Sequence, residues 1–286
     1  MCRETECHTP APVSAKSLRP YVPQVRDEAL ARFAAEHPGL QFPPVVVVIA
    51  ALDEEESVGA VIDGVPEEAC GLRLATLVVD DGSTDATSRV AREHGAYVAR
   101  LERNCGHGVA LRVGYELARR HGARHLLTLD ADGQWNPAEI PGVLEPLAAG
   151  EADFVIGSRV LGATETDDQF RQAGVHAFAW LVRLLTGVRV TDTSSGFRAM
   201  GVEVPATVRQ VQVQYQTSEL LIGAIAQGYR IAERPIVMRK RLAGQSKKGN
   251  NLLYGFRYAR VILTTWWRER GAARRPGHAE VRSAGG

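Results

Sequence analysis

No stretch of this 286-residue chain reaches the ~18 consecutive apolar residues that cross a bilayer, so no segment reads as a transmembrane helix. The N-terminus lacks the apolar core of a secretory signal. Cysteine is scarce. Cys2, Cys7, Cys70 and Cys105 form no C-x-x-C pair, which argues against a disulfide framework and predicts a reducing, cytoplasmic setting. Cys2, Cys7 and His8 lie in a polar tail and read as incidental, and His94, His121, His125 and His278 show no metal-ligand spacing. No G-x-G-x-x-G follows the first apolar run, which excludes a dinucleotide oxidoreductase of the usual kind. Net charge is only +1, yet it is unevenly spread. Residues 230–286 hold 14 Lys/Arg against 3 Asp/Glu, while the rest of the chain holds 20 against 30. A basic C-terminal part predicts an anionic partner. No aromatic ladder interleaves with the cations of the basic segment 239–248, so nucleic acid is not the expected one.

What the chain does have is an alternation of apolar runs and helical periodicity. Residues 1–43, rich in Pro and Ala, read as an extension outside the main fold, with a short helix over 26–36 and a boundary at Pro38, Pro43 and Pro44. Strands are predicted at 45–52, 74–81, 96–101, 125–132 and 152–159, with helices from about Glu55, after Ser83-Thr84-Asp85, over 108–121 and after Asn136-Pro137. The pattern is that of an α/β fold, a doubly wound and mostly parallel sheet with helices on both faces. Ligands bind such sheets beyond the carboxyl ends of the strands. Asp53-Glu54, Asp80-Asp81, Asp130-Asp132 and Arg159 all fall there. After residue 160 the pattern loosens to helices at 170–186 and 217–227 and a strand at 229–239. The main domain is read as 44–248, followed by an amphipathic helix at 249–270 and a flexible tail at 271–286.

LLTLDADGQ places two carboxylates at one strand end with a small residue between them. Hard oxygens suit Mg2+ or Mn2+, which can bridge a diphosphate, so Asp132 and Gln134 are the expected metal ligands and Asp130 lies nearer the ribose or sugar. Alone, Asp-x-Asp is a weak signal that reads first as a solvated turn; its company gives it weight. In VVDDGSTDAT, Asp81 can accept hydrogen bonds from a base or ribose hydroxyl, and Gly82 permits close approach. Glu54 is a second candidate for the base, while Glu55 and Glu56 read as a negative first helical turn. Arg241-Leu-Ala-Gly-Gln-Ser-Lys247 offers a planar fork and a mobile point charge to phosphate oxygens. DTSSGFRAM sets Asp192, Ser195 and Arg198 toward an acceptor, with Arg198 either holding an acceptor phosphate or pairing with Asp192. Glu219 is the candidate base if the acceptor is a hydroxyl; an acceptor phosphate needs none.

Seven markers in order, VVVVIAALDEEES, VVDDGSTDAT, RNCGHGVALRVG, LDADGQ, IGSR, DTSSGFRAM and RLAGQSK, resemble the family 2 glycosyltransferases of GT-A fold. The likeness is greatest to dolichol-phosphate mannosyltransferase and bacterial polyprenyl-phosphate glycosyltransferases, and it runs from Val45 to about Trp267. It implies inverting transfer of a sugar from a GDP- or UDP-linked donor to a lipid phosphate, on the cytoplasmic side and in peripheral contact with the membrane. It implies donor contacts at Ala50, Leu52, Glu54, Val79, Asp81, Asp130, Ala131, Asp132 and Arg159, phosphate contacts at Arg241 and Lys247, and metal at Asp132 and Gln134. Two positions depart from the family pattern. Ala50-Ala51-Leu52-Asp53-Glu54 stands where Pro-x-Tyr-Asn-Glu is usual, which removes an aromatic partner for the base, and His107 stands where Lys is frequent. The alternatives are transfer to a hydroxyl of a saccharide or small metabolite, a haloacid-dehalogenase-type phosphatase opening on D-x-D-G, and a silent sugar-nucleotide-binding protein. Gln134 after the glycine opposes the phosphatase, and intact Asp130, Asp132 and Arg241 oppose the silent binder.

Overall fold

The computed structural model describes residues 23–165, 169–242, 251–270 and 282–283. The first strand, β1 (Val45–Ala51), is buried along its whole length. Its side chains alternate between two cores. Val46, Val48 and Ala50 join one cluster, and Val45, Val47, Ile49 and Ala51 join the other. A strand covered on both faces has no polar side to show, which is why its sequence is apolar without alternation.

Helix α1 (Pro23–Glu36) precedes β1, and α2 (Val58–Asp63) follows it. Then come a short β2 (Glu68–Ala69), β3 (Leu72–Asp80), α3 (Thr87–Glu93), β4 (Tyr97–Arg100), α4 (His107–Arg120) and β5 (His125–Asp130). A 3-10 turn (Pro137–Glu139) leads into α5 (Ile140–Ala148), and β6 (Phe154–Thr164) and α6 (Gln169–Thr186) follow. The remainder is β7 (Arg198–Gly201), α7 (Glu203–Thr207), α8 (Gln216–Ala226), β8 (Ile231–Met238), α9 (Asn251–Glu269) and β9 (Arg282–Ser283). Among the described residues the strands form one nine-stranded sheet, ordered β2-β3-β1-β5-β7-β6-β8-β9, with β4 also on β3. Residues of α4 and α8 fill the core on one face, and residues of α2 and α5 fill that on the other.

Three features differ from the sequence reading. Helix α1 is packed on the body: Val25, Ala29, Leu30 and Phe33, all on one helical face, are buried in the α4-side core, and Phe33 meets the rings of Phe42 and His121. The region read as lying outside the fold thus contributes core from Val25 onward. Strand β7 was not foreseen. It inserts antiparallel between β5 and β6, and its four residues carry too little apolar pattern to announce a strand. Strand β6 runs to Thr164, past Arg159, because β8 pairs with it across a register shift between Ser158 and Ala163.

Candidate functional site

Register brings the strand ends level. Ala50 of β1 lies opposite Val79 of β3 and opposite Asp130 of β5, so the chain leaves all three strands at one edge. The loops after β1 and β3 are stitched together there. The Asp53 carboxylate accepts from Thr84 N at 2.7 Å, the Glu55 carboxylate accepts from Ala86 N at 2.8 Å, and Glu54 N donates to Thr87 Oγ1 at 2.8 Å. Glu55 therefore serves the loop before α3 and not the first turn of its own helix, which begins only at Val58. The Glu54 carboxylate accepts from Ser57 Oγ at 3.0 Å.

Asp80 is fully buried and organises the loop: it accepts from Ser83 N at 2.7 Å, from Arg100 at 3.0 Å and from Ser88 Oγ. Asp81 accepts from Cys105 N at 2.7 Å and Gly106 N at 2.8 Å, which fastens the glycine-rich segment to the end of β3. Burial, with help from neighbouring Asp80, pushes the Asp81 carboxyl up to about 7 against the pull of those two N–H groups. Gly82 has φ +79°, and a side chain there would strike the backbone of Arg103, so the close approach of the two loops requires glycine.

Asp130 and Asp132 follow on β5. The indole Nε1 of Trp135 donates to Asp130 Oδ2 at 2.7 Å, and His107 Nε2 stands 3.9 Å from Asp130 Oδ1. Asp132 accepts from Gln134 N at 3.0 Å and pairs with Arg241 at 2.8 Å. Burial and the adjacent Asp130 raise the Asp132 carboxyl to about 6, and Glu54 adds to the repulsion. Gln134 is buried, and its Nε2 donates to Arg239 O at 3.4 Å. Arg241 is thus held over the Asp-x-Asp turn by its own loop, where Leu242 N also donates to Asp132 O at 3.1 Å.

These residues fit a hard divalent cation. The Asp132 carboxylate and the Gln134 amide offer oxygen donors at the edge of an acidic cluster, and Mg2+ or Mn2+ characteristically takes only one or two protein groups and fills the rest from phosphate and water. Among the described residues there is no grouping of three or more His, Cys, Asp or Glu able to cage an ion alone.

Other expected site residues stand differently. Val79 and Ala131 are buried in the two cores, so only their backbone can face a ligand, and Ala50 is nearly as enclosed. Leu52 is half-buried. Arg159 is engaged by Asp192 at 2.6 and 3.0 Å and by Ser194 Oγ at 2.7 Å. That is the partner expected of Arg198. Arg198 itself is 2% exposed and donates to three backbone carbonyls, of Thr193, Ser195 and Thr217. It lines a small cavity shared with Asp130, His107 and Gln216, but its cation holds the 193–198 turn together, which removes the case for an acceptor-phosphate contact. Glu219 is corrected likewise. It is fully buried, its oxygens accept from Val211 N, Gln212 N and Arg268, and it has no access to an acceptor. Lys247 lies outside the described residues. Sequence reasoning missed the roles of Asp80, Trp135 and Asp192 as holders of their neighbours, because partners such as Arg100 and Arg159 are 20 and 33 residues away from the carboxylates they meet.

A mixed sheet whose parallel strands deliver carboxylates to one edge, with a basic loop closing over them, is the architecture of a GT-A glycosyltransferase. Glucosyl-3-phosphoglycerate synthase from Mycobacterium tuberculosis, solved with Mg2+ and uridine diphosphate, shares the fold with a TM-score of 0.62 at 21% identity, over 85% of this chain and 84% of that one. The chain belongs to glycosyl transferase family 2, whose model matches residues 46–202. Among its relatives is the dolichyl-phosphate hexose transferase of Haloferax volcanii, 34% identical over 72% of this chain and 87% of that one. The polyprenol monophosphomannose synthase of Mycolicibacterium smegmatis is 32% identical over 72% of this chain and 82% of its own. Family membership sets aside the phosphatase reading.

Proposed function

We propose that this chain is a hexosyltransferase that moves a sugar, with inversion, from a GDP- or UDP-linked donor to a polyprenyl phosphate. The observation that carries this reading is the convergence of Asp81, Asp130 and Asp132 on level strand ends, with the Arg241 cation paired to Asp132. The names of the two relatives above supply the acceptor class.

Asp81 and Glu54 face the base and ribose, Asp130 accepts from donor hydroxyls, and Arg241 swings from Asp132 to the donor phosphates, which Lys247 also contacts. Asp132 and Gln134 would hold Mg2+ or Mn2+, which neutralises charge on the departing diphosphate. An acceptor phosphate oxygen attacks the anomeric carbon from the opposite face; the bond to the diphosphate breaks and its electron pair leaves with the nucleotide. Such an acceptor is already anionic. The engagement of Glu219 elsewhere favours it over a hydroxyl, which would need a base.

A lipid acceptor also suits α6 and α9. No helix among the described residues is long and apolar enough to cross a membrane. The two helices pack through Phe178 and Tyr258, and α9 buries Tyr258, Val261 and Ile262. Trp180, Leu184, Phe256, Leu263 and Trp267 remain exposed. Large apolar groups beside Arg257, Arg260 and Arg270 fit a peripheral seat on an anionic bilayer at the inner face of the membrane. The deciding experiment incubates UDP- and GDP-sugars with polyprenyl phosphate and Mg2+ or Mn2+ and seeks an extractable glycolipid by mass. Transfer only to water-soluble hydroxyls would overturn the acceptor assignment.

A further inference from the structure

Trp135 is only 3% exposed, and its place is fixed from every side. It bridges to Met238 of β8, and its indole Nε1 donates to Asp130 Oδ2 at 2.7 Å. The guanidinium of Arg159 lies over its ring, 5.6 Å from the centroid. Arg159 in turn is clamped by Asp192, by Ser194 and by Met238 Sδ at 3.2 Å. Across from the indole, a Cβ at Gly196 would stand 2.7 Å from the same Oδ2, so glycine is what leaves that oxygen to Trp135 alone.

A buried tryptophan N–H finds some acceptor in most folds. Here the acceptor is a carboxylate of the donor site, and only one of its oxygens is tied. The other, Oδ1, lies toward His107 and the cavity. The terminal torsion of an aspartate is broad and two-fold, so without a partner the carboxylate samples both faces. The geometry points to Trp135 as a positioning residue for glycosyl transfer: it holds Asp130 by one oxygen so that the other is presented to a hydroxyl of the sugar donor. This rests on the reading of Asp130 as a donor contact. The Asp192–Arg159 pair serves as the brace that keeps the indole in plane with its acceptor.

The test compares W135F, D130N and the double variant. Donor affinity is measured by titrating a nucleotide sugar, and donor KM and kcat are measured in the transfer assay. Losing a hydrogen bond to a charged group predicts about a tenfold rise in donor Kd and KM for W135F. Turnover should stay within about twofold, because the contact is made in ground and transition states alike. Trp135 acts through Asp130, so the double variant should bind donor no more weakly than D130N. Losses that multiply in the double variant, or an unchanged donor KM in folded W135F, would overturn the assignment. If W135F does not fold, β-(3-benzothienyl)alanine at 135 replaces it, since that residue keeps the ring and deletes only the N–H, and the same outcomes decide. A wild-type chain that binds no nucleotide sugar overturns the donor reading as well. Wild-type binding with undiminished affinity in the variant overturns the Trp135 role alone.

Discussion

Asp81→Asn isolates what the proposed donor site costs the fold. The Asp81 carboxyl is 3% exposed, lies beside the fully buried Asp80, and is pushed up to about 7 by burial. Its value in the unfolded chain is about 3.9. A carboxyl raised in the folded state loses stability as pH climbs from the unfolded value to the folded one, and above about 7 the loss is complete. At about 1.4 kcal/mol per pH unit, the ceiling is about 4 kcal/mol. Asparagine does not titrate, so the variant escapes this slope. It also loses one acceptor, because its amide group turns an N–H toward Cys105 N or Gly106 N, a cost of about 1–3 kcal/mol that does not depend on pH. Urea unfolding of both proteins at pH 5, 6, 7 and 8, without metal or nucleotide, separates the two contributions. Relative to wild type, the variant should gain about 2–3 kcal/mol between pH 5 and pH 8. A constant difference, or one of opposite sign, would refute the burial argument. Donor affinity of the wild type should weaken below pH 7, as the carboxylate proposed to accept from the donor becomes protonated.

Chelation should abolish transfer and Mg2+ or Mn2+ should restore it; Asp132→Ala should be equally inactive with an unchanged circular dichroism spectrum, and near-normal turnover would exclude Asp132 as the metal ligand. Glu219→Gln should lower stability by about 2–3 kcal/mol, since it breaks the Arg268 pair and weakens two backbone bonds, yet leave kcat of the folded enzyme within about twofold. Gly82→Ala, at φ +79° and against Arg103, should cost about 2 kcal/mol in unfolding free energy and weaken donor binding with it.

The parallel half of the sheet was legible because its central strands are buried on both faces and read as runs that are apolar throughout, as in residues 45–51, or nearly so, as in residues 126–129 with Thr128 among them. The polar groups that end those runs were legible for the complementary reason: a carboxylate marks where the apolar run of a buried strand stops. Strand β7 escaped notice, because RAMG is placed by its neighbours β5 and β6 and not by a pattern of its own. Helix α1 was legible as a helix but not as part of the body, since its four buried residues find their partners on α4 and β4, across the sequence boundary marked by prolines.

The sequence alone determined the alternation of strand and helix, the edge at which Asp81, Asp130 and Asp132 gather, and the family to which these markers belong. Only the tertiary structure decided which charges are free to act. Arg159 reads as a donor contact and Arg198 as an acceptor contact, yet one is held by the Asp192 carboxylate while the other is spent on three carbonyls. Glu219 reads as a candidate base, yet it is sealed beneath Arg268. Local sequence records a residue's chemistry and its distance along the chain; whether that chemistry reaches a ligand or satisfies a buried partner depends on contacts between segments far apart in sequence, which exist only once the chain has packed.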